Sequence, residues 1–94
     1  MLVIGRKDGE SVFFTSPDGQ SIRLKIKLAN GLMSVFQGSR KIFALEFQGD
    51  GVEFTMLGER IQIILSRWQG DHSVAIGIEA PRSIKISRDN HVPA

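Results

Sequence analysis

Two short segments at opposite ends of the chain carry the same pattern: Leu2, Ile4 and Arg6 near the start, Ile84, Ile86 and Arg88 near the end. Each alternates aliphatic side chains and finishes on an arginine. On an extended strand that spacing puts the three side chains of a segment on one face. A single arginine at a strand end is ordinarily a solvated residue that discourages edge association. On neighbouring strands, two of them would present two guanidinium forks beside exposed main chain and apolar side chains. A guanidinium can bond the O6/N7 edge of guanine or a phosphate bidentately, and can stack on an unpaired base. Bases in single-stranded loops are the ones such groups reach. Lys7, Arg82 and Lys85 flank the two segments and suit phosphate contacts.

Little else in the chain carries chemistry. There is no nucleophile elbow, phosphate loop or HExxH spacing, so nothing points to an enzyme. His72 sits in a turn and His91 in the tail, and two isolated histidines make no metal site. No cofactor is implied. Trp68, alone at a strand end, reads as partial core before it reads as a base-stacking platform. Arg23, Lys25 and Lys27 form a basic stripe that can track an RNA backbone, but a stripe of this kind is ordinarily the wet face of an antiparallel sheet.

The elements that must position the arginines are strands. Asp8-Gly9, Asp18-Gly19 after Pro17, Asn30-Gly31 and Asp50-Gly51 are Asx-Gly pairs, which supply the positive φ angles of tight hairpins, and Gly70-Asp71 can play the same part. Between them lie segments of strand length at 2–7, 11–15, 22–28, 33–36, 42–47, 52–56, 61–67, 74–78 and 83–88. The clearest is 22–28, where Ile22, Leu24, Ile26 and Leu28 alternate with the three cations of the stripe. No segment sustains helical periodicity with caps. The spacing predicts an all-β domain of about nine short antiparallel strands joined as hairpins.

A chain of 94 residues, 41% hydrophobic and 23% charged, is one small domain, because two independent cores would not fit. At this size folding hides only a little over ~60% of the unfolded surface, so stability must come from packing or self-association. With no cysteine there is no disulfide framework, thiolate nucleophile or Cys-based zinc site. No apolar run approaches the ~18 residues of a membrane span. The apolar start stops at Arg6-Lys7, which leaves no room for a secretory signal core. The expectation is a cytoplasmic protein with no membrane partner. Its formal charge of +2 is small, but the distribution is uneven. Residues 82–88 carry bases and no acid, whereas Glu46, Asp50, Glu53 and Glu59 form an acidic run without a base.

The chain also resembles itself. Displaced by 40 positions, Gly9, Val12, Phe14 and Thr15 fall on Gly49, Val52, Phe54 and Thr55, with Glu10 on Asp50. After one extra residue near Pro17, a displacement of 39 puts Gly19, Ile22, Gly31, Ser34, Val35 and Gly38 on Gly58, Ile61, Gly70, Ser73, Val74 and Gly77. Ordered agreement of glycines and core aliphatics with one gap is the pattern of a degenerate tandem duplication. The copies are about 1–40 and 41–88 of a single domain over 1–90, with 91–94 a flexible tail.

The opening MLVIGRKDGESVFF and the stretch IQIILSRWQGDHSVAIGIEAPRSIKISRDN from Ile61 to Asn90 resemble the carbon storage regulator family of bacterial translational regulators. The opening matches that family's first strand and turn, and the A-P-R-x-I-x-I-x-R run matches its last two strands. The resemblance covers just under half of the chain. It implies a compact sandwich or barrel-like pseudo-dimer of two family-like units, and recognition of GGA-containing single-stranded or hairpin-loop RNA. It further implies an RNA site built from the first strand of one unit beside the last strand of the other. On that basis Ile4, Arg6, Lys7, Arg82, Ile84, Lys85, Ile86 and Arg88 are the RNA-binding residues, while Gly9-Glu10 is a structural turn.

The middle of the chain departs from the family pattern. With the internal repeat, the resemblance implies two units fused and trimmed, with the strand at 42–47 standing in for two. A displacement of 40 makes it the second copy's first strand and sets Glu46 where Arg6 stands. A displacement of 42 makes it the first copy's last strand and sets Glu46 where Arg88 stands. Either way an acid replaces an arginine, so one site survives per chain. The family's C-terminal helix has no counterpart. A monomeric pseudo-dimer is preferred over a homodimer, and strands 2–7 and 83–88 are expected side by side in one sheet. The competing reading is a protein-interaction or structural module that has lost specific RNA binding.

Overall fold

The computed structural model describes residues 1–88; the tail expected at 91–94, and His91 with it, lie outside the described residues. The chain is all-β, as its alternation predicts. Among the described residues nine strands run in the order β1 Leu2–Lys7, β2 Ser11–Thr15, β3 Ser21–Ala29, β4 Leu32–Gln37, β5 Arg40–Leu45, β6 Gly51–Met56, β7 Glu59–Trp68, β8 Ser73–Glu79 and β9 Lys85–Ser87. They form two antiparallel sheets, β1-β8-β7-β6 and β5-β4-β3-β2-β9. The sheets face each other as a sandwich and do not close into a barrel. Among the described residues no helix is long and apolar enough to cross a membrane.

The alternation read in β3 is realised as written: Leu24, Ile26 and Leu28 are buried while Arg23 and Lys27 are exposed. The core between the sheets is aliphatic with one fully buried ring, Phe14, and holds no buried polar or charged side chain among the described residues. At the tip of the β3–β4 hairpin, Asn30 and Gly31 both take positive φ, 55° and 73°. That is the conformation for which an Asn-Gly pair is suited. The β6–β7 hairpin uses the same conformation at Leu57 and Gly58, φ 55° and 74°, although a branched leucine is strained there.

The two halves repeat one another. β2-β3-β4 and β6-β7-β8 are three-strand meanders; β1 adds to the outer side of β8, and β5 adds to the outer side of β4. The turns entering the meanders are held alike. Gly9 N donates to Ile26 O and Ile26 N to Glu10 O, both at 2.8 Å; Gly49 N donates to Leu65 O and Leu65 N to Asp50 O, also both at 2.8 Å. Leu28 N donates to the Asp8 carboxylate at 2.8 Å, as Trp68 N donates to the Gln48 side-chain oxygen at 3.1 Å.

The repetition fails at one place. β9 pairs with β2, Phe14 lying opposite Ile86, but no strand of the described residues pairs with the corresponding edge of β6. The consequence is visible in the core. Val12 and Phe14 are 2% and 0% exposed, whereas their counterparts Val52 and Phe54 are only half-buried. The strand expected at 42–47 is therefore corrected twice. It runs over Arg40–Leu45, because Gly38 and Ser39 make a tight turn that pairs Gln37 with Arg40, and it fills one role only. It pairs with β4 as β1 pairs with β8, which leaves the role of a last strand beside β6 unfilled.

Candidate nucleic-acid interface

β1 and β9 are each the outermost strand of their sheet. β1 is captured by β8 over its whole length, from Leu2 opposite Ile78 to Lys7 opposite Ser73. β9 is captured by β2, Thr15 opposite Lys85 and Phe13 opposite Ser87. The expectation that the two strands lie side by side in one sheet is thus overturned: they belong to different sheets. The cause is in the alternation itself. Ile4 turns into the sandwich from one sheet and Ile84 from the other, so each strand buries its aliphatic side against the opposite layer.

The two edges nevertheless meet, through Arg6. Its guanidinium donates Nη1 to the main-chain oxygen of Ser11 at 3.1 Å and of Arg88 at 3.5 Å. Its Nε donates to Gly5 O at 2.6 Å and lies 3.9 Å from the Glu10 carboxylate. The side chain is only 11% exposed. Arg6 therefore joins the end of β1, the start of β2 and the residue just past β9. It works as a clamp across the mouth of the sandwich, and the fork open to solvent at this junction belongs to Arg88, whose side chain is exposed.

The other residues predicted for the site divide. Lys7 is exposed at the end of β1, with its N–H donating to Glu10 Oε1 at 2.6 Å in the structural turn expected at Gly9-Glu10. Arg82 is exposed in the turn before β9, where Ile84 N donates to Pro81 O at 3.0 Å. Lys85 is exposed, but alternation sends it to the outer face of its sheet, away from the sandwich mouth. Ile4 and Ile84 are 6% and 5% exposed and Ile86 is half-buried. They are core residues that hold the edges in place, and do not present apolar surface to a ligand. The exposed apolar side chains of β1 are Leu2 and Val3, 44% and 50% exposed, toward the end of the strand away from Arg6. The sequence reading did not place them in the site; their signal was an apolar run at an edge strand on both sides of the pleat.

The opposite half of the molecule lacks this arrangement. Phe47 N donates to the Asp50 carboxylate at 3.0 Å, repeating the bond from Lys7 N to Glu10. This is the register that sets Glu46 where Arg6 stands. Glu46 is exposed beyond the end of β5, and its main-chain oxygen accepts the Trp68 indole N–H at 3.0 Å. An indole bond thus replaces the arginine clamp, and Trp68 is half-buried structure with its polar handle already used. Comparison with known proteins finds no matching family model, curated protein or solved structure.

Proposed function

We propose that the protein is an RNA-binding post-transcriptional regulator that takes a GGA-type motif in a single-stranded or hairpin-loop RNA, one per chain, at the β1–β9 junction. The observation that carries the reading is the contact between Arg6 and Arg88, 82 positions apart in sequence, which joins the two segments whose patterns resemble carbon storage regulators. There an exposed guanidinium stands at the ends of two edge strands, whose main chain can bond base edges, and β1 carries the exposed apolar side chains of Leu2 and Val3 further along. In the other half, the acid at position 46 and the missing strand beside β6 remove both components. The test is a salt titration with a GGA hairpin and a hairpin of scrambled loop. Affinity should fall as salt rises while the preference for GGA persists. Equal affinity for both loops at all salt concentrations would sink the reading.

One observation favours a second reading, that of a protein-interaction module. β6 offers an open edge beside a groove of about 230 Å³ lined by Ile42, Phe43, Val52 and Phe54, and an edge of this kind can accept an added strand. Native protein that ignores every RNA tested, but shows β6 amides shifted by an extended peptide, would establish that reading instead.

A further inference from the structure

The second sheet has an outer face of unusual composition. β3 contributes Arg23, Lys25 and Lys27 to it, spaced about 6.8 Å apart along the strand. Register then sets an aromatic ring beside these cations. Phe36 on β4 lies opposite Lys25, and Lys41 on β5 lies opposite Phe36, so one row across the sheet reads cation, ring, cation. Phe13 on β2 lies opposite Arg23. Lys85 joins the same face from β9, opposite Thr15. The remaining positions hold small or hydroxyl side chains except Leu32, 38% exposed opposite Ala29, and none of the five strands places an acid on this face.

The outer face of the first sheet is the contrast. It mixes Glu53 and Glu79 with Arg60 and Arg67, and Glu53 is ion-paired with Arg60. Phe13 and Phe36 have no place in the core or in the ring of side chains packed against it. Both are half-buried among their neighbours on the solvent side. A fold of this size that has one fully buried ring has kept two others outside, level with a field of cations.

We propose that this face is a second binding surface, which takes a single-stranded nucleic acid by pairing phosphates with the cation rows and stacking bases on Phe13 and Phe36. Rings seated among cations suit base stacking, which tolerates any sequence. They do not suit insertion into a lipid surface, which needs apolar side chains that project. The surface extends the RNA reading while drawing on different side chains. β9 borders both, with Lys85 on the sheet face and the residue after Ser87 held by Arg6 at the junction. An RNA longer than the motif can therefore continue from the junction across the sheet.

Fluorescence anisotropy on the full chain, at several salt concentrations, tests this with two probes: a short GGA hairpin and a tract of about a dozen uridines. The Lys25→Gln, Lys27→Gln double variant should weaken tract binding about tenfold at low salt and lower the salt slope by about 1.4, leaving hairpin affinity within about twofold. Phe13→Ser with Phe36→Ser should weaken the tract at least about fivefold at unchanged salt slope. Should that pair melt early, Phe36→Leu keeps the bulk and removes the ring. Arg60→Gln with Arg67→Gln removes the same charge from the other face and should change neither probe.

A native chain that does not bind the tract, or a control pair as harmful as the lysine pair, overturns the proposal. So does tighter, lysine-dependent binding to phosphatidylserine vesicles than to the tract. Tract binding that survives in a chain blind to the hairpin would sink the junction site and leave this one standing.

Discussion

Removing the Arg6 guanidinium should loosen the whole junction, and the geometry sets the size of the effect. Arg6→Ala deletes a part-buried charged hydrogen bond to Ser11 O at 3.1 Å and a longer one to Arg88 O at 3.5 Å. The bond to Gly5 O is local and contributes little to tertiary stability. The Glu10 pair, at 3.9 Å with a carboxylate that is 42% exposed, is of the solvated kind that adds under about 1 kcal/mol. One good charged bond plus a carbonyl left without it amounts to about 2–3 kcal/mol. In a domain of this size that lowers Tm by roughly 8–24 °C. Calorimetry supplies Tm, and amide exchange shows where protection is lost: at β9 first, because β2 is its only strand partner among the described residues. Arg6→Lys, with charge but no fork, should recover less than half of the loss. A shift under about 2 °C with β9 protection unchanged would refute the clamp.

Other perturbations separate structure from recognition. Arg88→Ala should leave Tm within about 2 °C, since its side chain is exposed, yet weaken GGA hairpin binding by about 1–3 kcal/mol if it reads or clamps a base; equal losses for Arg88→Ala and Lys27→Ala on the hairpin would mean diffuse attraction to phosphate. Leu57→Gly relieves a leucine held at φ 55° but gives up packing against the core, so urea titration should find a change within about 1 kcal/mol in either direction, and a loss above about 2 would show that packing dominates. The Ser16 hydroxyl holds the Asp18 carboxylate below its ordinary pKa. The charged form is the one favoured by folding, so this contribution is present above the ordinary carboxylate range and is lost as pH falls through the lowered value. Acid unfolding of Asp18→Asn should lack that component, and identical acid limbs for the two proteins would deny it.

The layout of strands was legible because the chain states it locally. Strict alternation in β3 and the Asx-Gly pairs Asp18-Gly19 and Asn30-Gly31 need no tertiary information, whereas Asp8-Gly9 and Asp50-Gly51 join strands of different sheets and close no hairpin, and Gly51 takes no positive φ. The shift of β5 by two residues was not legible, because it depends on how tightly Gly38 and Ser39 turn and on the irregularity between Val35 and Phe36. For the site, the shared pattern of the two chain ends drew attention to them, but not to their meeting from different sheets through Arg6; of the two registers open for residue 46, the bonds from Lys7 N and Phe47 N repeat the one that sets Glu46 where Arg6 stands. What the pattern missed is direction. Leu2, Ile4 and Arg6 share a face in any strand, but which face becomes interior depends on the opposite sheet. That choice buries Ile4 and Ile84, turns Arg6 into a clamp, and leaves Leu2, Val3 and Arg88 exposed. The open edge of β6 was hidden for the same reason: Val52 and Phe54 look identical to Val12 and Phe14 until the strand that covers only the latter pair is in place.

The proposal places one composite RNA site on each chain, at the junction that Arg6 holds together. Isothermal calorimetry with a GGA hairpin, on protein whose mass in solution has been measured, tests it most directly. One RNA per chain is expected, with an affinity that falls by about 1–3 kcal/mol in Arg88→Ala and a stoichiometry unchanged by Glu46→Arg, which restores charge to the other half but supplies no strand beside β6. Two equivalent sites on the native chain, or a second specific site created by Glu46→Arg alone, would contradict it.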